Sequence, residues 1–332
     1  MNQENDNPES VRRDGFWRLA GVSLQYLLPH HLISRLIFTM ARWRIPLVPW
    51  MIRRFVATFK VNLDEAEHAD PAAYPSFNEF FTRALQPGVR PMPVFDPQDP
   101  VLLSPVDGRI SQMGEIGHGR ILQAKGRHYS LIELLGGDLD VAEPFLHGRF
   151  ATIYLSPRDY HRVHMPCGGR LTRMIHVPGR LFSVSELTVR SVNRIFTRNE
   201  RVVTLWDTPQ GPVAMVLVGA INVGAIETVW SGLVTPPRGR TVSEWTYGGE
   251  TGIEVNLQAG QEMGRFHLGS TVILLVPPGF EWRPEWQAGY PVRLHQPLAG
   301  PVVEPQVSGT EEDPVAESPA EPETEDDGAR GE

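Results

Sequence analysis

From Val101 onward the chain reads as short runs of β-branched and apolar residues, each closed by glycine or proline: "ATIYL", "RVVTLWDT", "GPVAMVLVGAINVGAIETV", "TGIEVNLQAG", "STVILLVPP" and "YPVRLHQPL". Runs this short, with turn residues between them, specify strands joined by tight connections rather than long helices. No repeat of solenoid length accompanies them, so a mostly antiparallel sheet body is expected.

The preceding segment has a different period. In "VSLQYLLPHHLISRLIFTMARWRIPLVPWMIRRFVATFK", Leu32, Ile33, Leu36, Ile37 and Met40 follow helical spacing, while Arg35 and Arg42 share another face. Pro46 and Pro49 are expected to break this helix. "SFNEFFTRAL" predicts a short helix with Ser76 and Glu79 at capping-box spacing, stopped by Pro87. The expected fold class is therefore α+β, N-terminal amphipathic helices followed by a mostly antiparallel β-sheet body. The expected organisation is a loose arm over 1–15, a helical region over 16–96, a β-rich domain over 97–299 and a disordered acidic tail over 300–332.

Charge sharpens this division. The formal net charge is -8, but the tail from Gly300 to Glu332 holds eleven Asp and Glu against one Arg, which leaves the body near +2. From Phe16 to Lys60 there are six Arg and one Lys and no acidic residue, a composition that favours an anionic surface. Arginines recur within the apolar stretch, so it is expected to lie on a membrane rather than cross it, with Trp43 and Trp50 at the interface. Packing of this helix on the body is the other reading. A single cysteine, Cys167, excludes a disulfide framework or a four-cysteine zinc site.

Three stretches carry chemistry. "SPVDGRI" places Asp107 before a glycine, which is first of all a turn signal. "YLSPRDYHRVHMP" packs Arg158, Asp159, Tyr160, His161, Arg162 and His164 into seven positions. Its two histidines lack a third ligand at metal-site spacing, so an acid/base site is expected there and no metal. "RFHLGSTVIL" sets Gly269-Ser270 at the head of an apolar run. A serine hydroxyl attacks the carbonyl before it only where the backbone bends sharply, and a preceding glycine has no Cβ to obstruct that bend. The hydroxyl also needs a base held by a third group, for which His164 and Asp107 are candidates.

Seven blocks in order, "SFNEFFTRALQPGVRPM", "SPVDGRI", "KGRHYSLIELLGG", "FATIYLSPRDYHRVHMPCGGRL", "LFTRNERV", "GAINVGAIET" and "EMGRFHLGSTVI", make the chain resemble the bacterial phosphatidylserine decarboxylases from about Phe16 to Pro297. The resemblance implies a proenzyme that cuts itself between Gly269 and Ser270. The steps it implies are an acyl shift from nitrogen to the Ser270 oxygen, β-elimination, and hydrolysis with loss of ammonia. Ser270 then becomes a pyruvoyl group at the start of the small chain 270–332, and Met1 to Gly269 forms the large chain. By the same resemblance His164 is the base of self-cleavage, Asp107 orients it, and His161 assists decarboxylation or reprotonation of the substrate carbon.

Composition agrees with a pyruvate-type cofactor. Loss of carbon dioxide from an amino acid needs an electron sink, and a pyridoxal cofactor would need a Schiff-base lysine. Only Lys60 and Lys125 exist, neither in a glycine-rich phosphate cradle.

The implied partners are phosphatidylserine, a membrane surface, the two chains of one precursor and a second copy in a homodimer, with no nucleic acid. The implied location is peripheral, on the cytoplasmic side of the inner membrane. Lys125, Arg158 and Arg162 are candidates for meeting the lipid phosphate. His267 stands where the family usually has lysine. A decarboxylase for a related serine-headed lipid, and an unprocessed lipid-binding domain, are the other readings. The joint presence of Asp107, His161, His164 and Ser270 speaks against the second.

Overall fold

The computed structural model describes residues 29–94, 101–221, 225–235, 241–267 and 270–300. The expected arm over 1–15 and the acidic tail beyond Gly300 lie outside these residues. Three helices come first: α1 (His30–Ala41), α2 (Val48–Phe59) and α3 (Phe77–Phe81). The expectation for the prolines is corrected in part. Pro49 falls in the first turn of α2, where its missing N–H costs nothing and its fixed φ suits the helix, so it starts a helix. Helix α3 stops at Phe81, ahead of Pro87, because Thr82 leaves the helix and turns its hydroxyl back onto the Asn78 carbonyl at 3.0 Å. Its start is as read from the sequence, with the Ser76 side chain accepting from the Glu79 N–H at 3.2 Å.

The strands that build the two larger sheets are β1 (Gly108–Glu115), β2 (Arg149–Leu155), β3 (Arg162–His164), β4 (Gly169–Val177), β5 (Arg201–Thr208), β6 (Gly211–Val218) and β7 (Ile226–Thr228). They continue with β8 (Gly232–Leu233), β9 (Ser243–Thr246), β10 (Asn256–Leu257), β11 (Glu262–Phe266), β12 (Ser270–Val276) and β13 (Pro291–Val292). A nine-stranded sheet runs β9-β4-β5-β6-β12-β2-β1-β13, with β10 added on β4, and a four-stranded sheet runs β8-β7-β11-β3. Every pairing within them is antiparallel. The fold is thus α+β, as the strand pattern indicated.

β12 occupies the interior of the large sheet. It pairs with β2 from Ser270↔Leu155 to Val276↔Arg149 and with β6 from Thr271↔Val218 to Leu275↔Ala214. All seven of its residues are buried. Both faces are therefore covered, which explains why "STVILL" lacks the apolar/polar alternation of a one-sided antiparallel strand. The main core joins Val272, Ile273 and Leu274 of β12 with Val216 of β6, Phe266 of β11 and Leu131 from the helical connections. A smaller core of Val48, Ile52, Val61, Tyr74 and Phe80 holds the helices together.

The chain passes from the small sheet to the large one between β11 and β12, so the "HLGS" stretch is the crossing point. Leu268 and Gly269 lie outside the described residues.

Because Leu274 is fully buried at mid-strand, Leu274→Ala is expected to cost about 2–5 kcal/mol. Equilibrium urea unfolding, made in the Ser270→Ala single chain so that refolding does not need two pieces to meet, reads this as a lower midpoint at constant slope. A loss under about 1 kcal/mol would place Leu274 outside the close-packed core.

Candidate functional site

Ser270 is the first residue of β12 and is fully buried, and its Oγ has no hydrogen-bond partner among the described residues. It pairs with Leu155, the last residue of β2. The chain leaving Leu155 forms the turn Ser156–Asp159 and then reaches His161 and β3. That turn is closed by Asp159, whose carboxylate accepts from the Ser156 N–H and hydroxyl, both at 2.7 Å. The His161 carbonyl accepts from the Phe266 N–H at 3.0 Å, at the other side of the crossing point. Serine and histidine loop are thus set together by two sheets.

His161 is fully buried, stacks on Phe81 with ring centroids 4.1 Å apart, and has neither ring nitrogen in a hydrogen bond among the described residues. Burial, helped by the nearby Arg83 charge and only weakly opposed by the backbone of Ser156 and Pro157, pushes its pKa down to about 3. The ring is neutral across the physiological range.

His164 is held at both nitrogens: Nδ1 lies 2.8 Å from the Gly260 carbonyl and Nε2 3.0 Å from the Tyr160 hydroxyl. A carbonyl only accepts, so Nδ1 carries the proton and Nε2 presents its lone pair. Burial, more than any other influence, keeps the ring below the usual histidine pKa. Burial likewise pushes the Tyr160 phenol up, so it remains a donor to His164.

Asp107 differs from expectation in its partner. Its carboxylate accepts from Arg90 Nε at 3.0 Å and Nη2 at 2.6 Å, and from the Leu294 N–H at 2.8 Å. Arg90 Nη2 also reaches Glu65 at 2.6 Å. Burial alone would lower the Arg90 pKa, but these two carboxylates outweigh it and raise the value. The link from Asp107 to His164 runs through the backbone, where the His164 N–H donates to the Pro105 carbonyl at 2.9 Å. The group that orients the His164 ring here is the Gly260 carbonyl, a role the resemblance gave to Asp107. A bidentate arginine takes a nearby carboxylate in preference to a neutral imidazole.

His267 bridges two regions. Its Nδ1 is 3.0 Å from the Asn78 amide oxygen in α3 and its Nε2 is 2.7 Å from the Glu227 carboxylate in β7. Burial lowers its pKa against the opposing pull of Glu227. The segment before Ser270 is thereby fastened to the helices.

A cleft of about 670 Å³ is lined by Asp107, Ser156, Arg158, Tyr160, Lys60 and Arg83, among others. Of the three cations expected at the lipid phosphate, Arg158 is the one that lines this cleft. Arg162 is committed to the Thr82 carbonyl and to Glu262, both at 2.9 Å, and Lys125 sits exposed at a hairpin turn. Sequence reasoning did not single out Tyr160 as a partner of His164, Arg90 as a partner of Asp107, or Arg83. The two arginines stand in "FTRAL" and "PGVRP", within one of the blocks that carry the resemblance, and nothing local distinguished them from surface arginines.

The architecture defines an α+β protein with a buried serine and two desolvated histidines where the chain crosses between two antiparallel sheets. The family model described as "Phosphatidylserine decarboxylase" matches residues 77–300, and one described as "PSD" matches 21–60. The chain belongs to the phosphatidylserine decarboxylase family. Similar relatives are named phosphatidylserine decarboxylase proenzyme. That of a Polaromonas species (strain JS666) is 52% identical, with 83% of this chain and 96% of the relative covered. Those of Chromobacterium violaceum and Bordetella pertussis are 52% and 54% identical, each over 83% of this chain and over 96% and 93% of the relative.

His161 has a consequence for acid stability. Its folded pKa of about 3 lies below the unfolded value, roughly 6.5. Between the two the unfolded chain binds a proton that the folded chain refuses, so this residue makes stability fall as pH falls. In the Ser270→Ala single chain, His161→Asn is expected to flatten the acid limb by about 1.4 kcal/mol per pH unit, measured by urea unfolding between about pH 4 and 6. An unchanged slope would show that the ring is protonated in the folded state.

Proposed function

We propose that this chain is a self-processing, pyruvoyl-dependent enzyme that decarboxylates phosphatidylserine to phosphatidylethanolamine. The observation that carries the reading is the Ser270 hydroxyl, buried with no hydrogen-bond partner among the described residues at the first position of the interior strand. A buried hydroxyl left unpaired costs about 1–3 kcal/mol, and native structures keep such groups where a reaction or ligand uses them.

For self-cleavage the Ser270 Oγ attacks the carbonyl of Gly269, and His164, with its proton fixed on Nδ1, offers Nε2 as the base. Tyr160, hydrogen-bonded to that nitrogen, is the group through which the proton passes or by which the ring is held. Residues around Ser270 suit a small carbonyl cofactor made in place: the position is enclosed and rigid, and no lysine competes for it. That group, once formed, supplies the electron sink for the carbanion left by carbon dioxide loss. His161 contributes an uncharged ring in a dry setting, suited to returning a proton to the substrate carbon. A related serine-headed lipid would meet the same groups.

The helices support a reading of membrane attachment. In α1 the residues turned inward are His30, Ser34 and Ala41, while Leu32, Leu36 and Met40 form an exposed apolar ridge, continued by Trp43 and Trp50. Arg35, Arg42, Arg44, Arg53 and Arg54 accompany this ridge with no acid among them. An apolar ridge edged by arginine and tryptophan fits the interface of an anionic bilayer. No helix among the described residues is long and apolar enough to cross one.

The first test is intact mass together with lipid turnover. The purified protein is expected as two chains divided after Gly269, the smaller one starting with a pyruvoyl group, and Ser270→Ala as one uncut, inactive chain. Processing of that variant would overturn the mechanism. His161→Ala is expected to cut normally but lose about 100-fold or more in turnover, and full activity would remove His161 from the chemical step. Separately, Leu36→Glu with Trp50→Glu is expected to lower binding to anionic vesicles at least about tenfold, as read by sedimentation. Unchanged binding would return the ridge to an ordinary surface.

A further inference from the structure

Arg83 is a buried cation that the reading above leaves unused. It is 5% exposed and follows two residues after Phe81, the ring on which His161 stacks. Its Nη2 donates to the carbonyls of Arg158 at 3.0 Å and Asp159 at 3.3 Å, and its guanidinium lies 5.4 Å from the Phe80 ring centre. Nε and Nη1 are buried with no hydrogen-bond partner among the described residues. A permanently charged group thus keeps three N–H donors unmatched.

The negative groups near it do not complete it. Burial lowers the Arg83 pKa, and the groups that act against this are Tyr74, Asp107, Asp159 and Glu65. Asp107 and Glu65 are already bonded to Arg90, and Asp159 to Ser156. A desolvated, incompletely bonded charge is costly and has a reason where it persists. Arg83 lines the same cleft as Asp107, Ser156 and Tyr160, with the exposed Arg158 and Lys60 adding positive charge.

We propose that Arg83 binds the phosphodiester of the lipid substrate within this cleft, an assignment that rests on the decarboxylase reading. Both anionic groups of a serine phospholipid suit a guanidinium, but they differ along the reaction. Decarboxylation removes the carboxylate charge, so a cation gripping it would bind the ground state better than the transition state and slow the step. The phosphate keeps its charge throughout, and a fixed guanidinium binds its oxygens through charge-assisted hydrogen bonds. Arg83 therefore anchors the headgroup at an unreacting atom and leaves the carboxylate end to the histidines.

The test uses processed wild-type, Arg83→Lys and Arg83→Met proteins, each checked for cleavage by mass. With dihexanoyl phosphatidylserine, Arg83→Met is expected to raise KM about 10- to 100-fold with kcat little changed, and Arg83→Lys to recover part of the loss. Inhibition by dihexanoyl phosphatidylethanolamine, which keeps the phosphate and lacks the carboxylate, is expected to weaken in parallel.

An unchanged KM overturns the assignment. So does a raised KM with unchanged inhibition by the ethanolamine lipid, which would give Arg83 to the carboxylate. If neither variant folds, sn-glycerol 3-phosphate soaked into wild-type crystals decides: phosphate at Nε or Nη1 of Arg83 supports the proposal, and phosphate elsewhere or none overturns it. Wild-type protein that releases no carbon dioxide from phosphatidylserine would be a failure of the decarboxylase reading, and the glycerol phosphate soak still reports on Arg83 independently.

Discussion

The site depends on one constraint, the burial of β12 between two partners. Hydrogen bonds along both edges and apolar contacts on both faces leave Ser270 no freedom to slide or turn, since a slip of one residue would reverse every side chain of the strand. β2 inherits the same rigidity and delivers the turn Ser156–Asp159 beside that fixed end. The small sheet then fixes the other approach through β11 and β3. A serine held by two sheets is pre-positioned before any chemistry begins, which is where much of the entropic cost of a reaction is met.

Around it the polar groups divide into satisfied and unsatisfied sets. Asp107, Arg90 and Glu65 form a closed ionic cluster, and Tyr160, His164 and Gly260 a closed hydrogen-bonded chain. Among the described residues, the Ser270 hydroxyl, both ring nitrogens of His161 and two nitrogens of Arg83 have no hydrogen-bond partner. Closed networks give rigidity, whereas open buried groups keep their bonding capacity for another molecule. The division separates groups held in a fixed geometry, His164 among them, from groups with unused bonding capacity more sharply than exposure does, because all of these residues are at least partly buried.

Much of this was legible in the sequence. The strand runs and the Ser76 cap followed from local pattern, and Asp107, His161, His164 and Ser270 were singled out by the family resemblance as candidates. Other features were not, for definite reasons. Periodicity marks an apolar stripe in α1 but not whether it faces the body, and the structure turns small and polar residues inward instead. Pro49 reads as a breaker or as a first-turn residue depending on where the helix starts. The partners of Asp107 and His164 were hidden because one is an arginine brought in by a long-range turn, and the other is a backbone carbonyl, which every residue possesses. Arg83 escaped notice because burial of a charge is a property of the finished fold.

The interior position of β12 also bears on the lifetime of the molecule. A chain cut just ahead of Ser270 has its middle strand on one piece and both neighbouring strands on the other, yet the pieces remain locked because no edge is free to peel. Such a protein assembles once, as a single chain, along a route that the cut then removes. After unfolding, its pieces would have to find each other by diffusion and insert a seven-residue strand into a sheet already inclined to collapse without it. The endurance of a chain so cut would be governed by the rate of opening rather than by an equilibrium with the unfolded state.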